Sequence, residues 1–357
     1  MTQQTAPTQV EEPFEIEAPE APPAPLRVAL TAFGNFWILF FLLALIAYFT
    51  ITSPNHAFFQ GFNFKNIALD TSEVILMAIG ETFVIVTAGI DLSVGGILVF
   101  SGVAGGLVMI HFSGTVAQTS NLQYPNASVA IPLGIAVGLA AGSGWGLLNG
   151  LLVTTLRLPP FIVTLGTLGM TFGAADLLSG GTNLASVPTT FQNSLGNGTI
   201  LGLYAPVIVA LIAVIIAFFL LRFTRFGRYT AAIGSNEDGA RRSGINVDLH
   251  LIKVYALTGF LCGLAGIVDL ARFGTENLSA HNTDNLDAIA AVVIGGTSLF
   301  GGVGTILGTV VGAFIPTVLK NGFVISGIDP FWQELLVGAT IIVAVYIDQW
   351  RRRRLSK

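Results

Sequence analysis

Charge is scarce in this chain. Lysine, arginine, aspartate and glutamate make up 10% of the 357 residues, while 53% are hydrophobic. Soluble domains carry about 25% charged residues, so a water-soluble globule is excluded. The mean hydropathy is +0.76, and uncharged apolar runs near 20 residues long recur along the chain. Such runs require lipid as solvent, where only helices or closed barrels satisfy the backbone. They show no period-two alternation, which selects helices over a barrel.

Cysteine is nearly absent. The single Cys262 excludes a disulfide within the chain and any cysteine-based metal centre. The four histidines, His56, His111, His250 and His281, fall in separate segments without metal-ligand spacing. They read as scattered surface or interfacial residues, and no metal or cofactor is expected. No Gly-x-x-x-x-Gly-Lys-Ser/Thr occurs, nor any Gly-Lys pair, so the chain has no P-loop for ATP. Gly-x-Ser-x-Gly and His-Glu-x-x-His are also missing, as is a spaced Ser/His/Asp set. An enzyme is not expected.

Basic residues are missing from the first 26 positions, which hold Glu11, Glu12, Glu15, Glu17, Glu20 and six prolines. The net charge of −4 therefore belongs to a tail; the remainder has 15 acids against 16 bases. Residues 1–30 read as a disordered, acidic, proline-rich cytoplasmic extension, of the wrong charge for a secretory signal.

What remains is a series of apolar segments near 35–52, 67–89, 94–112, 129–153, 161–179, 203–222, 251–271, 286–299, 303–320 and 331–349. The eighth is short, and Asp70, Glu73 and Glu81 interrupt the second. The expected fold is an all-α polytopic membrane protein of about ten transmembrane helices over residues 31–350, followed by a basic tail at 351–357. With the N-terminus inside, Arg27, Arg157, the group Arg222, Arg225, Arg228, Arg241 and Arg242, and Arg351 to Arg354 all fall on the cytoplasmic side, as the positive-inside rule requires. Both termini are then cytoplasmic. The uncharged connections 113–128 and 180–202 fall outside, with Lys65, Arg272 and Lys320 as exceptions. Trp37, Trp332 and Trp350 fit interfacial anchors.

Glycine is abundant and patterned. Gly134, Gly138, Gly142, Gly146 and Gly150 recur every fourth residue, as do Gly304, Gly308 and Gly312. Such ridges let another helix backbone approach closely, within the chain or from a second copy; lining a pore wall is the alternative. Val86 to Gly105 also resembles Val293 to Gly312 at a constant offset, a faint internal repeat.

Three polar elements interrupt the apolar pattern. Ala88 to Gly96 places Asp91 and Ser93 between two spans, where Asp91 can cap the next helix or serve a gate. Gly227 to Val247 is a cytoplasmic stretch with a helix of roughly ten residues expected after Ser235 or Asn236. Glu237 and Asp238 would open that helix, Arg241 and Arg242 would close it, and Gly244 would mark its end. So short a helix is marginal in water, which leaves a partner-bound helix and an ordinary solvated loop both open. Gly295 to Thr305 forms a glycine-rich turn, either structural or a hinge.

Together, in order and on this background, the three elements resemble the permease subunits of ribose/xylose-type ABC sugar importers. That group is related in fold to branched-chain amino acid and vitamin B12 permeases, and the resemblance runs from about 34 to 349. It implies a type II ABC importer permease fold in a bacterial inner (plasma) membrane. Two permease copies, identical or different, would pack around a central path. A solute-binding protein would deliver a small neutral sugar, separate ATPase subunits would hydrolyse ATP, and no nucleic acid is involved. The segment 227–247 would be the ATPase-coupling loop, through Gly234, Asn236, Glu237, Gly239, Ala240, Arg241, Arg242 and Gly244. Val303 departs from relatives, where a basic residue is common. A neutral sugar needs hydroxyls, amides and aromatics along its path rather than buried charge, so Asn149, Thr164, Thr167, Thr171 and Asn183 are candidate path residues. Glu81, the acid nearest the middle of a span, is a candidate buried polar contact, and Asp91 and Ser93 of the turn are candidate gate residues. The three threonines share one helical face, where bonding back to their own helix is the alternative. Branched-chain amino acids or nucleosides are the alternative cargo, and an ion-coupled secondary transporter is the rival mechanism.

Overall fold

The computed structural model describes the backbone of residues 25–329, side chains from Trp37 onward, and seven helical positions between 332 and 346. The acidic stretch before Pro25, Trp350 and Arg351 to Arg354 lie outside the described residues. By compactness the chain divides into residues 1–37 and 38–357. In the first, the described residues are helical.

In chain order the helices are α1 (Pro25–Thr52), α2 (Gly61–Val86), α3 (Val94–Ser113), α4 (Val116–Ser120), α5 (Ala127–Thr155), α6 (Pro160–Ser179) and α7 (Thr189–Phe191). After a two-residue antiparallel pair, β1 (Thr199–Ile200) and β2 (Leu203–Tyr204), come α8 (Ala205–Phe223), α9 (Arg225–Ser235), α10 (Glu237–Arg242), α11 (Val247–Phe273), α12 (Asp284–Ile294) and α13 (Ile306–Ile325). The helix α1 starts at Pro25, so residues 25–30, read from sequence as tail, are helical; proline suits a first helical position.

Among the described residues, α3, α5, α6, α8, α11 and α13 are long and apolar enough to cross a membrane. The chain is thus an all-α, multi-pass membrane protein. The 26-residue α2 is long enough too, but it carries Lys65, Asp70, Glu73 and Glu81. The short eighth segment becomes the 11-residue α12. Inner and outer helices separate by burial. On α8, Leu211, Ile212, Ile215, Ile216, Phe219 and Phe223 are exposed, an apolar face suited to acyl chains rather than water. The helices α3 and α11 are mostly buried.

The glycine ridge on α5 explains this layering. It packs within the chain, on α11 and α3. A Cβ at Gly142 would overlap the Gly259 carbonyl of α11, and one at Gly146 would overlap the Tyr255 carbonyl. Reciprocally, Gly259 faces Gly142 and Gly146. The two backbones touch without side chains between them, the small-residue contact that replaces hydrophobic drive in lipid. The second ridge does the same on a smaller scale, Gly308 and Gly312 lying against Gly295 and Ala291.

The internal repeat is only partly kept. Both stretches fold as helix, turn and helix. At constant offset, however, Val94 would correspond to Gly301, whereas α13 starts at Ile306. Two left-handed glycines, Gly301 (φ 82°) and Gly302 (φ 78°), lengthen the second turn.

The ridge yields a direct test. Gly142→Leu or Gly146→Leu forces apart helices in backbone contact and is expected to cost about 1–3 kcal/mol or more. Gly144→Leu, on the same helix with open space at its Cα, should be nearly neutral. Thermal melts of the three variants in detergent measure the contrast, and equal melting points would contradict the packing.

Candidate functional site

The polar turn between α2 and α3 is the centre of the site. Ala88 takes a left-handed backbone (φ 64°), an uncommon geometry for a residue with a side chain. Asp91 is fully buried, and its Oδ1 accepts from the Ser93 N–H at 2.9 Å and from the Ser93 hydroxyl at 2.5 Å. Sequence reading expects Asp91 at the helix cap itself. The structure puts Ser93 in the flanking position and Asp91 two residues outside, bracing Ser93 through a local side-chain turn.

This brace reaches two other helices. Glu81 of α2, also fully buried, accepts from the Asp91 N–H through Oε1 at 3.1 Å. Asn149 of α5 donates from Nδ2 to Ser93 Oγ at 2.8 Å. Four predicted path residues, Glu81, Asp91, Ser93 and Asn149, thus form one continuous polar chain inside the bundle. Glu81 Oε2, Asp91 Oδ2, Asn149 Oδ1 and the Tyr255 hydroxyl are buried without a hydrogen-bond partner among the described residues. Unmet polar atoms in such a place are costly, which makes the site a candidate for function.

The other predicted path residues behave differently. Thr164, Thr167 and Thr171 are buried and lie on one face of α6. Thr164 Oγ1 lies 2.9 Å from its own helix's Pro160 carbonyl and 3.1 Å from the Ile90 carbonyl. Thr167 and Thr171 bond back to Thr164 and Thr167, at 3.3 and 2.9 Å. They hold α6 against α3, Thr171 filling the space left by Gly96. Asn183 is not part of this group. It is exposed in the connection after α6, where Oδ1 accepts from the Leu278 N–H at 3.2 Å.

Below the turn lies a two-helix hairpin. Thr224 caps α9, its hydroxyl accepting from the Phe226 and Gly227 N–H groups. Asn236 caps α10 by accepting from the Gly239 N–H at 2.8 Å. Sequence reading expects one helix of about ten residues here. The structure has a six-residue α10 and, before it, an 11-residue α9 that sequence reading missed. Its signal was available: Thr224 as cap, then Gly227, Thr230 and Ile233 as a buried stripe at three-residue spacing. Glu237 and Asp238 open α10, Arg241 and Arg242 close it, and Gly244 (φ 83°) turns the chain. Ala240 packs with Ile233 and Val247. Arg241 bonds Asp248 at 2.5 Å and Glu237 at 2.9 Å, and these acceptors hold its guanidinium pKa above its ordinary value.

The three polar elements meet at Val86, the last residue of α2. The Val86 carbonyl accepts from the Gly302 N–H at 2.9 Å. A Cβ at Gly234 would overlap that same carbonyl, and Gly301 lies against Ala88 and the Gly234 carbonyl. A cavity of about 780 Å³ opens beside this junction, lined in part by Ala88, Gly89, Arg157, Ser235, Glu237 and Tyr255. Phe300 and Val303 project from the 295–305 turn, both exposed.

For the histidines, sequence reading needs correction. The histidines are not uniformly superficial. His250 is buried, Nε2 lying 2.9 Å from Thr230 Oγ1. His281 is buried with Nδ1 at 2.7 Å from Asp284 Oδ2 and Nε2 at 3.4 Å from Asp269 Oδ2. Two of the charge-rule exceptions also gain a reason: Arg272 pairs with Asp70 and Glu73, and Lys320 with Asp287 and Asp284.

Residues 63–345 match the family described as "branched-chain amino acid transport system / permease component", and the chain belongs to it. It is 36% identical over 324 residues to the fructose import permease protein of Rhizobium meliloti, covering 88% of this chain and 85% of that one. It is 39% identical over 314 residues to the ribose import permease protein of Escherichia coli K12, covering 86% and 91%. With the galactose/methyl galactoside import permease protein of the same strain it shares 34% over 328 residues, covering 90% and 95%. No solved structure matches the chain significantly.

The turn can be tested by what its carboxylate accepts. Asp91→Ala strands the buried Ser93 N–H and is expected to lose about 1–3 kcal/mol. Asp91→Asn keeps an accepting oxygen and should lose markedly less. Denaturation of both variants in detergent gives the comparison; equal losses would argue against the brace.

Proposed function

We propose that this chain is the permease subunit of an ATP-driven importer that carries a monosaccharide across a bacterial inner membrane. The observation that carries this reading is the junction at Val86. There, three polar elements up to some 200 residues apart in sequence meet, joining a buried polar turn to an exposed helical hairpin. Such a junction can pass movement of the hairpin to the interior. Family membership and relatives that import fructose, ribose and galactose support it. So does the lack of any P-loop, since energy must then come from another subunit.

In this reading the chain spans the membrane about ten times with both termini in the cytoplasm. ATPase subunits bind the hairpin through Gly234, Asn236, Glu237, Gly239, Ala240, Arg241, Arg242 and Gly244. The exposed Phe300 and Val303 extend that face. A solute-binding protein meets the opposite surface, and a second permease copy completes the path. Glu81, Asp91, Ser93 and Asn149 form the gate, and the cavity beside Tyr255 is the cytoplasmic exit. The Ser93 and Tyr255 hydroxyls, the Asn149 amide and the acceptor oxygens of Glu81 and Asp91 can hydrogen-bond the hydroxyls of a neutral sugar. Thr164, Thr167 and Thr171 position α6 rather than touch cargo, and Asn183 fastens an outer loop.

Reconstituted complexes decide the cargo. The binding protein and monosaccharide that raise ATP hydrolysis identify it, and uptake driven by an ion gradient with no ATPase present would refute the reading. Coupling has its own test. Glu237→Lys removes an ion-pair partner of Arg241, and Gly239→Leu crowds the Asn236 cap. Each should weaken ATPase docking by about 2 kcal/mol, roughly 30-fold, and abolish uptake while the chain still inserts. Normal uptake by both variants would rule the hairpin out as the coupling element.

A further inference from the structure

A second polar cluster lies where α11 ends, far from the hairpin. It is built from Asp269 of α11, Glu276 of the following loop and His281 just before α12. Their exposures are 2%, 0% and 7%. One ligand-capable atom from each lies within 4.8 Å of the others. The loop is not free to place Glu276 elsewhere. Its N–H and carbonyl exchange hydrogen bonds with Leu184 at 2.8 and 3.0 Å. Its carboxylate occupies space opened by Gly102, where any Cβ would collide with it.

Charge balance is the unusual part. Asp70 and Glu73 share Arg272, while Asp284 and Asp287 share Lys320. Asp269 and Glu276 have no lysine or arginine within ion-pair distance among the described residues. Both Glu276 oxygens and Asp269 Oδ1 are buried with no hydrogen-bond partner there. Buried carboxylates are found paired or coordinating a cation; among the described residues this pair is faced by the His281 imidazole and by the Glu73 carboxylate, which Arg272 already holds. That imidazole is already oriented. Asp284 fixes Nδ1 at 2.7 Å, the outer hydrogen bond that metal-bound histidines use. Nε2 then faces Asp269 Oδ2 at 3.4 Å. Two ligands of a tetrahedral ion, each about 2.1 Å from it, stand about 3.4 Å apart.

We infer that Asp269, Glu276 and His281 bind a divalent transition-metal cation of the zinc class. One imidazole and two carboxylates suit such an ion, and no thiolate is near to select a softer one. Bound there, the ion ties the end of α11 to the 274–283 loop and, through Glu276 and Leu184, to the connection after α6. This inference is independent of which solute is carried.

The test uses the full-length chain purified in detergent without a polyhistidine tag, stripped with chelator and titrated with Zn2+. One equivalent is expected, retained through gel filtration. Asp284→Asn should weaken binding by about 10–100-fold, and Glu276→Gln and His281→Gln should weaken it further. His111→Gln, at an exposed histidine, should bind as wild type does. Less than half an equivalent on the wild-type chain overturns the assignment, as does undiminished binding by Glu276→Gln. Should a variant aggregate, X-ray absorption of zinc on the wild-type chain decides. A nitrogen and oxygen shell containing one imidazole supports the site; a sulfur ligand or an imidazole-free shell overturns it.

Discussion

In hydrocarbon, helices gain nothing from hiding apolar side chains from one another, so their contact must come from close fit. Here that fit is the backbone contact of α5 with α11. Everything else is arranged around it. Because Gly142 and Gly146 remove the side-chain spacer, α11 sits deep enough to pack on α2 and α3 as well. This central position brings Tyr255 to the cavity at one end and Asp269 to the second cluster at the other. It also leaves the outer faces of α5, α6 and α8 for large apolar residues that lipid tolerates.

Most of the buried carboxylates inside the bundle lie at two levels. At one, Glu81, Asp91, Ser93 and Asn149 hold each other through short bonds across three elements. At the other, Arg272 and Lys320 are enclosed by acids. Both levels sit where a helix ends or a connection begins. There the interrupted backbone already demands partners, so side chains and chain termini satisfy one another.

Much of this was legible in the sequence. Long uncharged runs can only be membrane helices, and a four-residue glycine period can only be a ridge. Asp91 between two such runs had to be braced by something. What escaped was whatever depends on distant residues. His281 and Asp269 are 12 positions apart and Glu276 lies between them at no regular spacing; only the reversal of the 274–283 loop unites them. The helix α9 was lost because arginines on its polar face masked the buried stripe of Gly227, Thr230 and Ile233. The lengths of the two glycine turns were hidden for a related reason: glycine repeats align readily, whereas the left-handed backbone at Gly301 and Gly302 is visible only in three dimensions. The threonine face of α6 was seen correctly as a face, but periodicity cannot tell a wall of a channel from a packed seam.

One consequence follows from the length of α11. It is a single helix of 27 residues without proline, about 40 Å long at 1.5 Å per residue. Its closest backbone contacts with α5, at Tyr255, Gly259 and Gly263, lie toward its middle. A stiff rod held near its middle is a lever. A tilt of only about 4° moves ends some 16 Å from the pivot by about 1 Å, in opposite directions. The 2.5 Å bond between Arg241 and Asp248, stretched by that much, is no longer a hydrogen bond. Opening at one surface and tightening at the other are then the same motion, and α11 needs no internal joint to perform both.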